Sequence, residues 1–253
     1  MSSRFFILST IFFSCITCQI YADNTHSYVT SNITNTLNKI IPELKIDSIV
    51  PGPAGLYQVT SGNEVFFVTK DGKYLLHGAL LDLSKDKENW NLTEQARKKI
   101  VKAIMDKVAL KDMVIFNPKN PIGYVNVFTD VDCGYCRKFH ANIDEIMAKG
   151  IEVRYLAFPR SGKDSPTYNK TVSIWCSDSP TKDLTKAKKG EEIPEKTCNN
   201  PIETQIEIGK NLGIMGTPTL IFADGTMIAS YLPADNLLEQ VKKHSLINTY
   251  KGK

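Results

Sequence analysis

A chain of 253 residues, 42% of them hydrophobic, can bury one large core or two smaller ones, which excludes a disordered or fibrous protein. Its formal net charge of +4 is too small an excess to signal nucleic acid, and no basic stripe interleaved with aromatics is present.

At the N-terminus Arg4 precedes an apolar run from Phe5 to Cys18, and Ile20-Tyr21-Ala22 supplies cleavage chemistry before Asp23. Residues 1–22 are therefore expected to be an export signal peptide; the run is too short to span a bilayer comfortably as a retained anchor. Cys15 and Cys18 lack the preceding residues of a lipoprotein signal. Cleavage leaves Cys133, Cys136, Cys176 and Cys198, an even number that favours disulfides over free thiols in an oxidising compartment.

After the leader, Ile33, Leu37, Ile40 and Ile41 are spaced for a short helix, and Lys45 to Val50 reads as a strand before Pro51-Gly52-Pro53 breaks the pattern. A meander follows: LYQVT, a turn at Ser61-Gly62-Asn63, EVFFVT, a turn at Asp71-Gly72, and KYLLHGALLDL. So small a sheet should seek a partner, with Thr60 to Val65 as the expected pairing edge. NLTEQARKKIVKAIMDKV is a helix capped by Asn91 or Thr93, with Ile100, Ile104, Met105 and Val108 along one face. Its polar first half predicts a bridge rather than a core element. The expected plan is an N-terminal domain over 23–90, a linker helix over 91–110 and a second domain over 111–253.

The second domain opens with two strands, MVIFNP and YVNVFTD. A helix follows in which Phe139, Ile143, Ile146 and Met147 repeat at helical spacing until Gly150, and IEVRYLAFP is the next strand. Strand, helix, strand makes a βαβ unit with parallel strands. Ser165-Pro166 and Asn200-Pro201 open two further helices. Between them KDLTKAKKG, Lys182 to Gly190, is read as a solvated face or loop. TLIFA, an Asp224-Gly225 turn and MIASY form a closing hairpin, covered by the helix ADNLLEQVKKH.

The chemistry concentrates in TDVDCGYCRKFH, where Cys133 sits at the start of a helix and Cys136 one turn further in. Unpaired amide groups and the macrodipole at that helix start favour a thiolate at Cys133, while Cys136 should be more buried and less ionised. That asymmetry defines an attacking and a resolving sulfur. A zinc site would need two more ligands, yet Cys176 and Cys198 form no second C-x-x-C, and His140 has the place of an ordinary helix-face residue; no metal is expected. A bridge between Cys176 and Cys198 would tether the polar segment between them; a second redox pair is the other reading. Thr217-Pro218 stands at the entry of a strand, where a cis or a trans bond is affordable. A cis bond would bring the Thr217 backbone beside Cys133.

With C-G-Y-C after a strand, G-T-P before one and the closing hairpin and helix, the second domain resembles a thioredoxin fold. Together with the small N-terminal sheet, the polar helix and the Cys176–Cys198 insertion, the chain is similar to the periplasmic disulfide isomerases of the DsbC/DsbG type. Gly134-Tyr135 is nearer the DsbC version. The resemblance implies an α+β architecture: a thioredoxin-like catalytic domain with a helical insertion, joined by a linker helix to an antiparallel-sheet dimerisation domain. It also implies a V-shaped homodimer whose apolar cleft holds misfolded polypeptides. Cys133 would be the nucleophile and Cys136 the resolving thiol, with Gly134, Tyr135, Thr217 and Pro218 as substrate contacts and Cys176–Cys198 as a structural disulfide. Gly62 would lie in the turn before the dimer-forming edge. A membrane reductase of the DsbD type would supply electrons, and no cofactor is needed. The expected activity is disulfide isomerisation, with a dithiol oxidase or a non-catalytic holdase as alternatives.

Overall fold

In the first unit, Val29, Ile33 and Leu37 recur every four residues and form the buried stripe of helix α1 (Ser14–Ile40). They pack with Val59 and Val68 of a four-stranded antiparallel sheet in the order β1 (Ser48–Pro51), β2 (Tyr57–Ser61), β3 (Glu64–Val68) and β4 (Leu75–His77). The structure, a computed structural model, describes residues 14–245, with side chains from Ser27 onward, and divides into a unit ending at Leu80 and one beginning at Leu81. Residues 1–13 of the expected leader lie outside the described residues, and α1 runs through the expected junction at Ala22 and Asp23. Among the described residues no helix is long and apolar enough to cross a membrane.

Two expectations for this unit need correction. The expected short helix is 27 residues long and ends at Ile40, so Ile41 lies beyond it, and Ile40 is exposed because the burying stripe is 29, 33, 37. The stretch Thr60 to Val65 is no pairing edge: β2 pairs with β1 on one side and β3 on the other, so the sheet's outer strands are β1 and β4. Gly62 sits in the β2–β3 turn at φ +58°, a conformation that resists a Cβ, and its amide donates to Asp47 Oδ2 at 2.6 Å.

The second unit is built on a five-stranded sheet in the order β5-β7-β6-β8-β9, from β5 (Val114–Phe116), β6 (Gly123–Thr129), β7 (Ile151–Ala157), β8 (Thr219–Phe222) and β9 (Met227–Ile228). The predicted βαβ unit is present, with β6 and β7 parallel and every other pair antiparallel. Its crossover is two helices rather than one. The turn at Asn142 separates α3 (Gly134–Ala141) from α4 (Ile143–Ala148), and Gly150, at φ +80°, ends the second. Phe139, Ile143 and Ile146 seal one face of the sheet together with Val125, Val127, Val153 and Tyr155.

Helix α2 (Leu92–Met105) starts at Asn91, whose side chain accepts from the Glu94 amide at 3.0 Å. It is a core element as well as a connection: Val101 and Met105 are buried among Phe128, Leu156, Leu212 and Ile221 on the other face of the sheet. The apolar stripe in its second half needs that cover, which outweighs the polar first half.

The helical insertion holds the largest correction. The residues read as a solvated face or loop belong to α6 (Pro180–Lys189), between α5 (Pro166–Trp175) and α7 (Ile202–Asn211); Lys182, Lys186 and Lys189 are its exposed face, but its other face is buried. Leu184 and Ala187 enter the main core, Lys188 is buried with them, and Gly190 closes the helix at φ +84°. The Cys176–Cys198 disulfide ties the end of α5 to the segment leading into α7. Leu184→Ala is expected to lower stability by about 3 kcal/mol, seen as a reduced denaturant midpoint with an unchanged slope. Helix α8 (Ala234–His244) covers the hairpin β8–β9 through Leu237 and Val241.

Candidate active site

Strand β6 is central in its sheet, so its carboxyl end delivers the next turn, Asp130-Val131-Asp132, over the middle of the unit. Cys133 is the N-cap of α3: its amide donates to Asp130 O at 3.2 Å, and its carbonyl accepts from the Arg137 amide at 2.9 Å. Phe128 pairs with Thr219 on the antiparallel neighbour β8, so the chain entering β8 must run alongside the chain leaving β6. That register puts Thr217 against the cysteines. The Thr217–Pro218 bond is cis, and Cys133 Sγ donates to Thr217 O at 3.2 Å.

The two sulfurs differ as the helix start predicts. Burial pushes the Cys133 thiol up, but the Thr217 hydroxyl, the Cys136 amide and thiol, and the Arg160 guanidinium outweigh it, leaving Cys133 below the ordinary cysteine value. Cys136 lies above that value, because burial is stronger there than the help it receives from Lys188, Asp130, Thr217 and Thr129. Thr217 Oγ1 is buried with no hydrogen-bond partner among the described residues. It is a donor whose acceptor comes into being when the sulfur ionises. Both thiols are well covered: Cys133 is 4% exposed and Cys136 1%. The Cys133 sulfur is thus less open than a surface thiol, and its hydrogen is engaged by Thr217 O.

Several residues that sequence reading passed over complete the site. Asp130 is buried and accepts from the Arg160 amide and from Arg160 Nε, both at 3.0 Å, which fixes the guanidinium where its charge favours the Cys133 thiolate. Asp132 accepts from Lys170 Nζ at 2.7 Å, Thr167 Oγ1 at 2.7 Å and Arg137 Nη2 at 2.9 Å, anchoring the turn before Cys133 to α5. Lys188 extends from α6 to Thr129 Oγ1 at 2.9 Å and Asp130 O at 3.4 Å. His140 is occupied by neutral partners, Tyr155 Oη at 3.0 Å and Thr185 Oγ1 at 2.9 Å, and burial holds its pKa down to about 3. Among the described residues no group of three or more His, Cys, Asp or Glu side chains could hold a metal ion.

Of the residues singled out from sequence, Cys133, Cys136 and Thr217 meet. Pro218 is buried, and Gly134 faces open space. Tyr135 is 65% exposed beside the helix start, and Met215, two residues before Thr217, is 95% exposed. Both lie two residues in sequence from groups of the site, Tyr135 from Cys133 and Met215 from Thr217. A groove of about 900 Å³ runs elsewhere, between α5 and residues 190–197, lined by Lys170, Ser173, Glu191 and Lys196 among others.

A central sheet carrying a dithiol at a helix N-terminus, faced by a cis-proline loop, defines a thioredoxin-fold thiol–disulfide oxidoreductase. Residues 110–245 match the thioredoxin-like domain family and residues 22–94 match the disulfide bond isomerase protein N-terminal domain. The chain is 33% identical over 213 residues to the thiol:disulfide interchange protein DsbC of Dickeya dadantii, covering 84% of this chain and 86% of that one. It is 31% identical over 220 residues to DsbC of Escherichia coli, covering 87% and 90%. The crystal structure of a disulfide interchange protein from Neisseria gonorrhoeae superposes with a TM-score of 0.50 at 26% identity, over 54% of this chain and 98% of that one. The chain belongs to the DsbC family of thiol:disulfide interchange proteins.

Proposed function

We propose that the protein isomerises wrong disulfides in exported polypeptides, with Cys133 as nucleophile and Cys136 as resolving thiol. The observation that carries this reading is the Cys133 sulfur at a helix start, with its pKa lowered, 3.2 Å from the Thr217 carbonyl. A polypeptide lying along the Thr217 backbone, between Tyr135 and Met215, presents its disulfide to that sulfur. The Cys133 thiolate attacks one substrate sulfur; a mixed disulfide forms and the other substrate sulfur leaves as a thiolate. A second substrate thiol then displaces Cys133, completing the rearrangement, or Cys136 displaces the substrate and leaves an oxidised pair for an external reductant. Isomerisation requires the pair to be reduced at rest.

The exposed side chains at the site support polypeptide binding without chemistry as a companion activity. For the expected homodimer, the outer strand β4 is better suited than the turn at Gly62, since Tyr74, Leu75 and Leu76 are exposed there beside an unextended sheet edge. Export to the periplasm after removal of residues 1–22, and reduction by a membrane reductase of the DsbD type, complete the reading. Rapid alkylation of Cys133 and Cys136 in the exporting cell tests it: a mostly reduced pair is expected, and a mostly oxidised pair would instead identify a dithiol oxidase.

Thr217→Val removes the hydroxyl and keeps the shape of the side chain. The variant should titrate Cys133 at a higher pH than the parent, so that less thiolate is present at neutral pH and alkylation there slows several-fold. The pH profile of the alkylation rate is the measurement.

A further inference from the structure

Among the described residues of the second unit Lys188 is the one buried lysine or arginine, and the reaction described above leaves it unused. It is 4% exposed, and its amine has only uncharged oxygens as hydrogen-bond partners, Thr129 Oγ1 at 2.9 Å and Asp130 O at 3.4 Å. The Tyr155 ring lies 5.8 Å away, and no carboxylate is within 4.0 Å of the amine among the described residues. A lysine desolvated in this way ordinarily takes a carboxylate partner or reaches for water. This one points instead at the last residue of β6, whose hydroxyl also borders the Cys136 sulfur. The charged and titratable groups around it are Asp130 in the β6–α3 turn, Cys133, Cys136, Arg137 and His140 on α3, and Tyr155 on β7.

We propose that Lys188 is the proton acceptor for Cys136 when that thiol releases a bound substrate, reached through the Thr129 hydroxyl. The inference rests on the roles given above to Cys133 and Cys136. Cys136 yields its proton to Thr129 Oγ1 as the Thr129 proton passes to the neutral Lys188 amine. The freed Cys136 sulfur attacks Cys133 Sγ. The Cys133–Cys136 bond forms, the bond from Cys133 to the substrate breaks, and the electron pair leaves on the substrate sulfur, which takes a proton from solvent. The cysteine pair is oxidised and the substrate sulfur reduced, so no further reactant is needed. Burial lowers the lysine to about 8, against the pull of Cys136, Asp130 and Cys133, so an appreciable neutral fraction exists near neutral pH. The thiol it serves is the one that burial holds above the ordinary cysteine value.

Lys188→Met and Lys188→Gln test this in the full chain, by rapid acid quench and alkylation during reaction with a synthetic peptide disulfide. Loss of the reduced form reports attack by Cys133, and decay of the mixed disulfide reports release by Cys136. In both variants attack should stay within about twofold of the parent while release at neutral pH slows about tenfold. The loss is moderated because each tenfold fall in thiolate is offset about threefold by the greater nucleophilicity of a more basic sulfur. The release rate of the parent should rise with pH through an inflection near that of Lys188, and the variants should lack the inflection. Equal release rates in parent and variants, or attack and release slowed together, would overturn the role of Lys188. A parent that never forms the mixed disulfide would overturn the cysteine roles beneath it.

Discussion

Serine at position 133 is expected to reduce recovery of a scrambled disulfide protein by at least about 10³-fold, because a hydroxyl at neutral pH offers almost no anion to attack sulfur. The fold should survive, since the substitution keeps the size of a side chain whose hydrogen bond to Thr217 O a hydroxyl can replace. Cys136→Ser should behave differently: attack persists, and the mixed disulfide accumulates because the internal route of release is gone. Suppression of aggregation of a cysteine-free client should be unaffected in both variants. Recovery of activity by the reporter protein separates chemistry from binding. If the serine variant retained isomerase activity, the assignment of Cys133 as nucleophile would fail.

The second large effect concerns stability. Replacing both Cys176 and Cys198 by serine releases a closure of 22 residues in sequence separation, worth about 3 kcal/mol in the chain-entropy model. The loss should fall on α6 and the strap behind it, because the disulfide tethers their far end to α5. Urea unfolding should show a midpoint lowered by an amount that fits that figure, while the reactivity of Cys133 in the folded variant stays close to the parent's. A double variant with parental stability and defective exchange would mean that this pair is redox-active rather than structural.

Local chemistry made much of this protein legible. The Ser165-Pro166 opening located α5, and Ser165 Oγ accepts from the Tyr168 amide at 3.1 Å as a cap should. A Ser-Pro opening also stands at Ser179-Pro180, but the lysine density behind it reads as a solvated face or loop and hides the buried side of α6. Leu184, Ala187 and Lys188 at spacings of three and four, with Gly190 as a stop, were the signal that could have found it. The meander in the first unit was readable from its turns, but which of its strands lie outermost depends on β1 joining through β2, a pairing no turn announces. At the active site the cysteine pair and Thr217 could be named in advance. Asp130 and Arg160 could not, since 30 residues separate them in sequence and only the parallel register of β6 and β7 brings their strand ends together. Lys188 stayed hidden for a further reason: nothing in a run of lysines marks the one that turns inward.

The covering of Cys133 bears on how the sulfur ages. An acidic thiol in an oxidising compartment is at risk of conversion by peroxides to sulfenic and then irreversible sulfinic acid, and the risk grows with thiolate character and access. With 4% of the residue exposed and its thiol engaged by the Thr217 carbonyl, few collisions with small diffusing oxidants find it ready. On the function proposed above, a bound polypeptide would compete for that carbonyl with its own backbone amides and uncover the sulfur at the moment a disulfide is beside it. On that reading the Thr217 contact would act as a latch that protects the thiol between turnovers while leaving it open to its substrates.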